Sequence, residues 1–340
     1  MEKPKYIVTA DITLPALNSG IKPYRTFEQF PSLRQNFRRK IIISIQRLWA
    51  LLKWAKECQV LVLDSTSGPL QPDLLICILI RFFRKKPIVI MTGDMWNKGN
   101  AFKYILQKLI IRLADPSIQR YVVHSLGEEK IFGEVWGVSP KKVRSCIYNY
   151  TFTDEEVKAG EITTKGYIFA GGNPARDYDS LIESARLLPK RNFIIATRML
   201  EGYKNIPSNL KVVQTSHQEF IQLMREADMV ITPLRSGLTR SAGQQTYLNA
   251  MRMGKISIVN GKDVYGVTDY IQNQINGIIV DGSPKGYADV IEWVYDATNQ
   301  ATTEKIKRSA QESVLEFTYK RYIDTMSSII QEAVDEAGIK

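Results

Sequence analysis

The sequence predicts an α/β protein with two doubly wound parallel sheets. Short β-rich runs alternate with helix-length segments along most of the chain, as repeated βα units do. The alternation stops at a polar, acidic stretch at residues 151–166 and then starts again, which indicates a linker. A length of 340 residues suits two domains of roughly 100–200 residues each. We therefore expect one domain at residues 1–155 and a second at 156–340.

In the first half, the predicted strands are apolar along their whole length. This pattern is typical of parallel strands that helices cover on both faces. The predicted strands are residues 6–10, 60–64, 87–92 and 120–124, and the predicted helices between them are residues 37–56, 72–83, 100–113 and 126–136.

In the second half, the same alternation continues from residue 167. The helix after the first strand places Leu181, Ile182, Ala185 and Leu188 on one face. A later helix ends at Gly254, a residue that suits the position just after a helix. The predicted strands are residues 167–171, 192–197, 210–213, 229–232 and 255–259, and further predicted helices are 218–227, 244–253 and 302–337.

The composition excludes several classes of protein. Three widely spaced cysteines cannot form a disulfide framework or a cysteine zinc site, and two histidines make a histidine-rich metal centre improbable, so we expect no metal. The first fifteen residues lack the apolar run of a signal peptide, and the apolar run at residues 74–80 is far shorter than the ~20 residues of a membrane span. We therefore expect a cytoplasmic protein.

The net charge of +11 is unevenly distributed. Residues 1–150 carry +13 and residues 151–340 carry −2, so an anionic partner should meet the first half. Neither Gly-x-Gly-x-x-Gly nor a P-loop is present, which disfavours dinucleotide-dependent redox enzymes and P-loop kinases.

Two segments of the second half suit a phosphate ligand. Gly171 and Gly172 follow a strand and would let the backbone approach a phosphate, while Arg176 could neutralise it with a forked donor. Small or hydrogen-bonding residues crowd the start of the helix at 244–253, where free N–H groups favour a diphosphate or a sugar. A tight βα turn and an ordinary helix cap are the alternative interpretations. The helix-start residues are Ser241, Gly243, Gln244, Gln245 and Thr246.

These segments carry a resemblance. The runs YIFAGGNPARDYDSLIESARLL, ADMVITPL, GQQTYLNAMRMGKISIV and NGIIVDG, in this order, resemble the C-terminal half of retaining GT-B glycosyltransferases, with family 4 the nearest. The resemblance implies two Rossmann-like domains facing a central cleft, with the C-terminal helices packed back on the first. It also implies a nucleotide-sugar donor, UDP-sugar favoured, with no tightly bound cofactor and no required metal.

The resemblance also implies roles for individual residues. Arg176 occupies the place of the basic residue that contacts the donor diphosphate, and Arg198, which follows the next strand, is assigned to the donor site. The family's Glu-x7-Glu motif is replaced, because Ser241 stands near its first glutamate and Asn249 at its second. An amide both donates and accepts, so Asn249 is predicted to bind the ribose.

The first domain is predicted to receive the acceptor. Asp94 follows a strand and is the candidate general base for the acceptor hydroxyl, although an aspartate after Gly93 also suits a structural turn. Asn18, Ser19 and Gly20 resemble the family's loop near the donor phosphate.

A basic, aromatic segment near the N-terminus suits an anionic membrane surface, and a core helix with a solvated basic face is the alternative. Nucleic acid ranks lower as a partner because no nucleic-acid-binding motif is present. The residues assigned to this surface are Arg38, Arg39, Lys40, Arg47 and Trp49.

The functional hypothesis is a glycosyltransferase that moves a sugar to a glycan or lipid-linked acceptor in surface polysaccharide or glycoconjugate synthesis, in the cytoplasm or peripherally on the inner membrane face. A nucleotide-sugar epimerase of the same fold would need further acidic residues in the cleft. A non-catalytic scaffold that binds membrane or nucleic acid is favoured only by the missing glutamates.

Overall fold

The computed structural model describes residues 6–8, 37–65, 70–159, 164–173 and 175–338. The chain forms two compact units. One comprises Met1–Ile147 together with Lys320–Lys340, and the other comprises Tyr148–Tyr319. The C-terminal segment therefore groups with the first unit, and the division near residue 148 lies a few residues before the predicted 155.

The first unit contains a five-stranded sheet in the order β1-β2-β3-β4-β5, with every pair parallel. Consecutive strands are neighbours, so all four crossovers advance in the same direction. Because such crossovers are right-handed, their helices lie side by side on one face, and successive helices are indeed in contact. The strands are β1 (Tyr6–Val8), β2 (Val60–Asp64), β3 (Ile88–Thr92), β4 (Arg120–Val123) and β5 (Val143–Ser145), and the helices are α1 (Phe37–Glu57), α2 (Pro72–Ile80), α3 (Ala101–Ala114) and α4 (Leu126–Trp136).

The second unit contains a six-stranded parallel sheet in the order β11-β10-β9-β6-β7-β8. After the central strand β6, the chain adds β7 and β8 on one side of it, and then adds β9, β10 and β11 on the opposite side. The strands are β6 (Tyr167–Gly171), β7 (Asn192–Ala196), β8 (Leu210–Val213), β9 (Met229–Thr232), β10 (Ile256–Asn260) and β11 (Ile278–Val280). The helices are α5 (Asp154–Lys158), α6 (Tyr178–Leu187), α7 (His217–Glu226), α8 (Gln244–Arg252), α9 (Pro284–Tyr295) and α10 (Gln300–Ser313).

The predicted α/β class with two parallel sheets is confirmed. The predicted helix at 302–337 is interrupted, since a 3₁₀ turn at Val314–Glu316 separates α10 from α11 (Tyr319–Glu336). The predicted linker contains the short helix α5, which Thr153 and Glu156 begin with a capping box. None of the helices in the described ranges is both long and apolar enough to cross a bilayer.

Ion pairs hold α11 in the first unit. Arg120, at the start of β4, pairs with Glu332 and Glu336, and Arg144 of β5 also pairs with Glu332. The neighbouring arginines lower the pKa of the Glu332 carboxyl, first through the hydrogen bond from Arg144. The last helix is thereby attached to the strand edge formed by β4 and β5.

A buried ion pair joins α1, α2 and β2. Arg47 Nε and Nη2 donate to the two carboxylate oxygens of Asp73 at 2.6 and 2.8 Å, and the Asp64 N–H donates to the same carboxylate. Both side chains are buried, at 3% and 1% exposed. The prediction that Arg47 belongs to a membrane-facing surface is wrong, because its guanidinium points inward to a carboxylate that could not be buried alone.

We expect Arg47→Met to destabilise the first unit by about 3–5 kcal/mol, because it leaves the Asp73 carboxylate buried without its cation. Chemical denaturation monitored by circular dichroism measures the loss. The exposed Arg38→Met on the same helix is the matched control and should stay within ~0.5 kcal/mol of the wild type. Equal stability of the two variants would contradict the structural role of the pair.

Candidate functional site

The candidate site lies where the strand order of the second unit reverses. The loops after β6 and β9 leave the sheet in opposite directions there, which opens a crevice at the carboxyl ends of the two strands. The chain segment at residues 175–177 meets the segment at 233–235 in this region. The Asp177 N–H donates to the Pro233 carbonyl, and the Arg235 N–H donates to the Ala175 carbonyl.

Two glycines at the end of β6 leave room for larger side chains, Gly171 for Phe220 and Gly172 for Arg176. Gly172 has φ +108°, and a Cβ there would lie 2.8 Å from Arg176 Nη2. At Gly171 a Cβ would lie 2.4 Å from the ring of Phe220. Ala175 adopts φ +64°, a left-handed conformation that is unfavourable for a residue with a Cβ. The loop therefore turns back on itself, which places the Arg176 side chain beside Gly172.

The Arg176 guanidinium is buried between this loop and the start of α8. Its Nε donates to the Gly171 carbonyl at 3.3 Å and its Nη2 donates to Thr246 Oγ1 at 3.0 Å. A Cβ at Gly243, the residue that caps α8, would lie 3.5 Å from Arg176 Nη1. Arg176 therefore links the carboxyl end of β6 to the N-terminus of α8, where backbone N–H groups point outward without helical acceptors.

The charge of Arg176 acts on nearby tyrosines. Burial raises the pKa of Tyr178, Tyr247 and Tyr287, and the positive charge of Arg176 opposes the rise in each case. The Tyr178 hydroxyl donates to the Gly172 carbonyl at 2.6 Å. These phenols stay neutral at physiological pH, so they add no negative charge near Arg176.

A cavity of about 220 Å³ adjoins the glycine loop. Asn173 Oδ1 accepts hydrogen bonds from the Arg198 N–H and Thr197 Oγ1, which joins the end of β7 to the loop. The cavity is lined by Gly172, Asn173, Ala196, Thr197, Arg198, Gln214, Thr215, Ser216, His217 and Phe220. Gly172 thus borders both the cavity and the Arg176 guanidinium.

His217 begins α7 at the edge of this cavity. Its Nε2 lies 2.8 Å from Glu156 Oε1, and its ring packs edge-on against Phe152. The pKa of Glu156 is lowered, first by the hydrogen bond from the Thr153 N–H and then by His217. His217 thus joins α7 to α5 at the cavity rim.

Most of the predicted donor-site residues converge in this region. Gly171, Gly172, Arg176, Gly243 and Thr246 come together around one guanidinium, and Arg198 lines the cavity. Ser241 and Gln244 are buried near the start of α8, whereas Gln245 is exposed and donates to Tyr148. Sequence analysis missed Asn173 and Thr197, although an Asn directly after two glycines is a signal of a side chain that orders a turn.

Asn249 has a different environment from the one predicted. Its Oδ1 accepts from the N–H groups of Thr151 and Phe152, at 2.9 and 3.0 Å, and its Nδ2 donates to Thr151 Oγ1. The side chain is 2% exposed. The predicted ribose contact is therefore corrected: the amide holds the segment before α5 against α8.

The remaining predicted site residues lie in the first unit or outside the described residues. Asp94 is exposed after β3, and its carbonyl accepts a hydrogen bond from Ser65 Oγ. Asn18, Ser19 and Gly20 lie outside the described residues. Across the described ranges, no three His, Cys, Asp or Glu side chains are close enough to share a metal ion.

Solved structures with this architecture share little sequence with the chain. HepE from Anabaena in complex with UDP has a TM-score of 0.67 at 13% identity, over 94% of this chain and 88% of HepE, and HepE is also known with UDP-glucose. Sucrose-phosphate synthase from Thermosynechococcus elongatus has 0.66 at 11% identity, over 90% and 81%. The ADP- and acarbose-bound catalytic domain of starch synthase IV from Arabidopsis thaliana has 0.61 at 13% identity, over 90% and 79%.

No protein-family model matches the chain, and no curated protein matches its sequence. The likeness to solved structures nevertheless extends over most of the chain and includes both sheets. The chain therefore has the GT-B glycosyltransferase fold, as the sequence predicted.

We expect Asn249→Ala to lower the free energy of unfolding by about 2 kcal/mol in the ligand-free protein, because the buried Phe152 N–H loses its acceptor. Asn249→Asp keeps an accepting oxygen for both N–H groups but buries a carboxylate, so it should also be less stable than the wild type. Thermal unfolding of the two variants, with Gln245→Ala of the same helix as control, measures the difference. An Asn249→Ala variant with wild-type stability and a loss confined to nucleotide affinity would restore the ribose interpretation.

Proposed function

We propose that the protein is a glycosyltransferase that binds a nucleoside diphosphate sugar in its second unit, with a UDP-sugar favoured. The observation that carries this proposal is the position of Gly172, which borders both the Arg176 guanidinium and the 220 Å³ cavity. A nucleoside diphosphate needs these two environments side by side, one for its charge and one for its base. The enzyme would transfer the sugar to a glycan or a lipid-linked acceptor.

The diphosphate would lie at the N-terminus of α8, beside Arg176. Helix N-termini favour anions through their free N–H groups and the helix dipole, and a guanidinium offers a forked pair of donors. Gly172 and Gly243 add no Cβ atom beside the guanidinium. The hydrogen bonds to Gly171 and Thr246 hold the guanidinium in place before the ligand arrives, so little ordering is needed on binding.

The base would occupy the cavity beyond Gly172. A volume of about 220 Å³ accommodates a pyrimidine ring, and the lining supplies backbone polar groups at the ends of β7 and β8. The complexes of the structurally similar HepE with UDP and UDP-glucose support a uridine nucleotide. The ADP complex of starch synthase IV makes ADP the nucleotide to compare first.

Transfer requires stabilisation of the diphosphate as the glycosidic bond breaks. Arg176 and the α8 N–H groups would face the developing negative charge, a role that needs no metal ion. Retention of configuration, and Asp94 as the base for the acceptor hydroxyl, complete the proposal. The exposed position of Asp94 at the carboxyl end of β3 supports its part in it.

We expect Arg176→Ala to weaken UDP binding by about 10- to 100-fold, because one buried charge-assisted contact to phosphate is lost. Arg176→Lys keeps the charge but loses the forked pair of donors, so its UDP affinity should lie between those of the wild type and Arg176→Ala. Isothermal titration with UDP, ADP and GDP measures affinity and nucleotide preference, with Arg186→Ala as the exposed arginine control on α6. Wild-type affinity of Arg176→Ala, with the fold intact by circular dichroism, would reject the phosphate assignment.

Gly172→Ala should weaken UDP binding by about tenfold or more, because the added Cβ would lie 2.8 Å from Arg176 Nη2 and displace it. Gly202→Ala is the matched control, since Gly202 also has a positive φ of +79° but nothing within 4 Å of an added Cβ. Both variants carry the same kind of backbone strain. An equal loss of UDP affinity in the two would assign the effect to strain rather than to the guanidinium.

A further inference from the structure

The outward face of α3 in the first unit is apolar. Phe102, Ile105, Leu106, Leu109 and Leu113 are all exposed, with Phe102 at 75% and Ile105 at 66%. Their spacing of three, four, seven and eleven residues places them on one side of the helix. A surface helix ordinarily turns such a stripe toward the core, but α3 buries only Ile111 and Ala114 fully. The stripe therefore faces solvent.

Helix α1 carries a second exposed stripe of the same kind. Ile42, Ile45 and Trp49 follow one another at helical spacing and are exposed, with Trp49 at 69%. Arg38 precedes this apolar run and Lys53 follows it on the same side, and both are exposed. The stripe therefore has an apolar middle and cationic ends.

Helix α2 and the turn after it connect the two stripes. Helix α2 contacts both α1 and α3, and its least buried side chains are apolar. In the turn, Phe82 is 82% exposed, Arg81 donates to the Leu113 carbonyl of α3, and Lys56 of α1 lies over the Phe83 ring. We call α1, the turn at residues 81–86 and α3 the α1–α3 surface.

The charge of the α1–α3 surface is almost entirely positive. With Arg47 paired to Asp73 in the interior, these segments carry twelve cationic side chains and one acidic one, Glu57. The cations are Arg38, Arg39, Lys40, Lys53, Lys56, Arg81, Arg84, Lys85, Lys86, Lys103, Lys108 and Arg112. A partner must therefore be anionic and must also accept exposed aromatic and aliphatic side chains.

We propose that the α1–α3 surface docks on an anionic lipid bilayer. Aromatic and aliphatic side chains among cations are the composition that partitions into the headgroup region of such membranes. A second copy of the chain would bring twelve like charges against twelve, which opposes a symmetric contact. Nucleic acid would attract the cations but would leave the Ile and Leu side chains without apolar partners.

The proposal goes beyond donor binding and is independent of it. It uses only side chains of the first unit, whereas the nucleotide site is formed by the second. UDP affinity without vesicles and vesicle binding without UDP are separate measurements. Either proposal can therefore fail while the other stands.

The test uses Trp49 as its reporter. Of the five tryptophans, Trp54, Trp96 and Trp136 are buried and Trp293 is half-buried, so Trp49 is the one that contact with lipid would newly cover. We expect vesicles of phosphatidylglycerol mixed into phosphatidylcholine to shift the fluorescence emission of Trp49 to shorter wavelength. In a flotation experiment, the protein should rise with these vesicles. Pure phosphatidylcholine vesicles should do neither, and Trp49→Phe should abolish the shift.

Two double variants separate the apolar and electrostatic contributions. Ile105→Gln with Leu109→Gln, and Lys53→Glu with Lys56→Glu, should each weaken flotation with anionic vesicles by about tenfold or more. Two control double variants make matched changes on exposed residues of the second unit, Ile275→Gln with Leu315→Gln and Lys204→Glu with Lys211→Glu. Flotation with anionic vesicles should be unchanged in both.

Several results would overturn the proposal. These are equal binding to neutral and anionic vesicles, no binding to either, or equal losses in the control variants. Concentration-dependent dimerisation in analytical ultracentrifugation that Ile105→Gln with Leu109→Gln abolishes, without vesicle binding, would assign the surface to a second copy instead. Retention by RNA but not by vesicles would assign it to nucleic acid.

Discussion

The candidate site of the second unit is built around one buried guanidinium, that of Arg176. A buried cation is costly unless polar groups surround it, and here the Gly171 carbonyl and the Thr246 hydroxyl supply two of its contacts. The space for the side chain comes from the missing Cβ atom at Gly172, which would otherwise lie 2.8 Å from Arg176 Nη2. The turn that brings it back over its own loop requires a left-handed alanine at position 175. Loop, helix start and strand end are therefore specified together, because changing one of them leaves the charge without its surroundings.

This arrangement explains why the site lies at a reversal of strand order. Neighbouring strands that continue in the same direction leave their connecting loops side by side, and no crevice opens between them. Between β6 and β9 the loops diverge, so a helix N-terminus and a glycine loop can face the same space. The backbone N–H groups at the helix N-terminus thus supply part of the polar surface of the site. Few side chains have to be specified, which agrees with the low identity between this chain and the solved structures that share its architecture.

The two corrections to the sequence analysis, Arg47 and Asn249, have a common physical origin. Both side chains were assigned to ligand or membrane because their residue type suits such a partner. Each is instead satisfied by a distant part of the chain: Asp73 lies 26 residues from Arg47, and Thr151 lies 98 residues from Asn249. A polar side chain takes whichever partner is near in space, and sequence spacing reports only partners on the same element. Neither Asp73 nor Thr151 carries a local signal that identifies its contact.

The sequence by itself determined the α/β class, the two sheets and most strand positions, and it located a glycine loop and a helix start that suit a phosphate. These features follow from local periodicity and turn chemistry, which act over a few residues. The tertiary structure decided the partners of Arg47 and Asn249, the cavity beside Gly172 and the outward direction of the apolar stripe on α3. Periodicity shows that Phe102, Ile105 and Leu109 share one side of a helix, but not which way that side faces. That direction depends on how α3 packs against α2 and α4, and such packing is set by contacts between residues far apart in the chain.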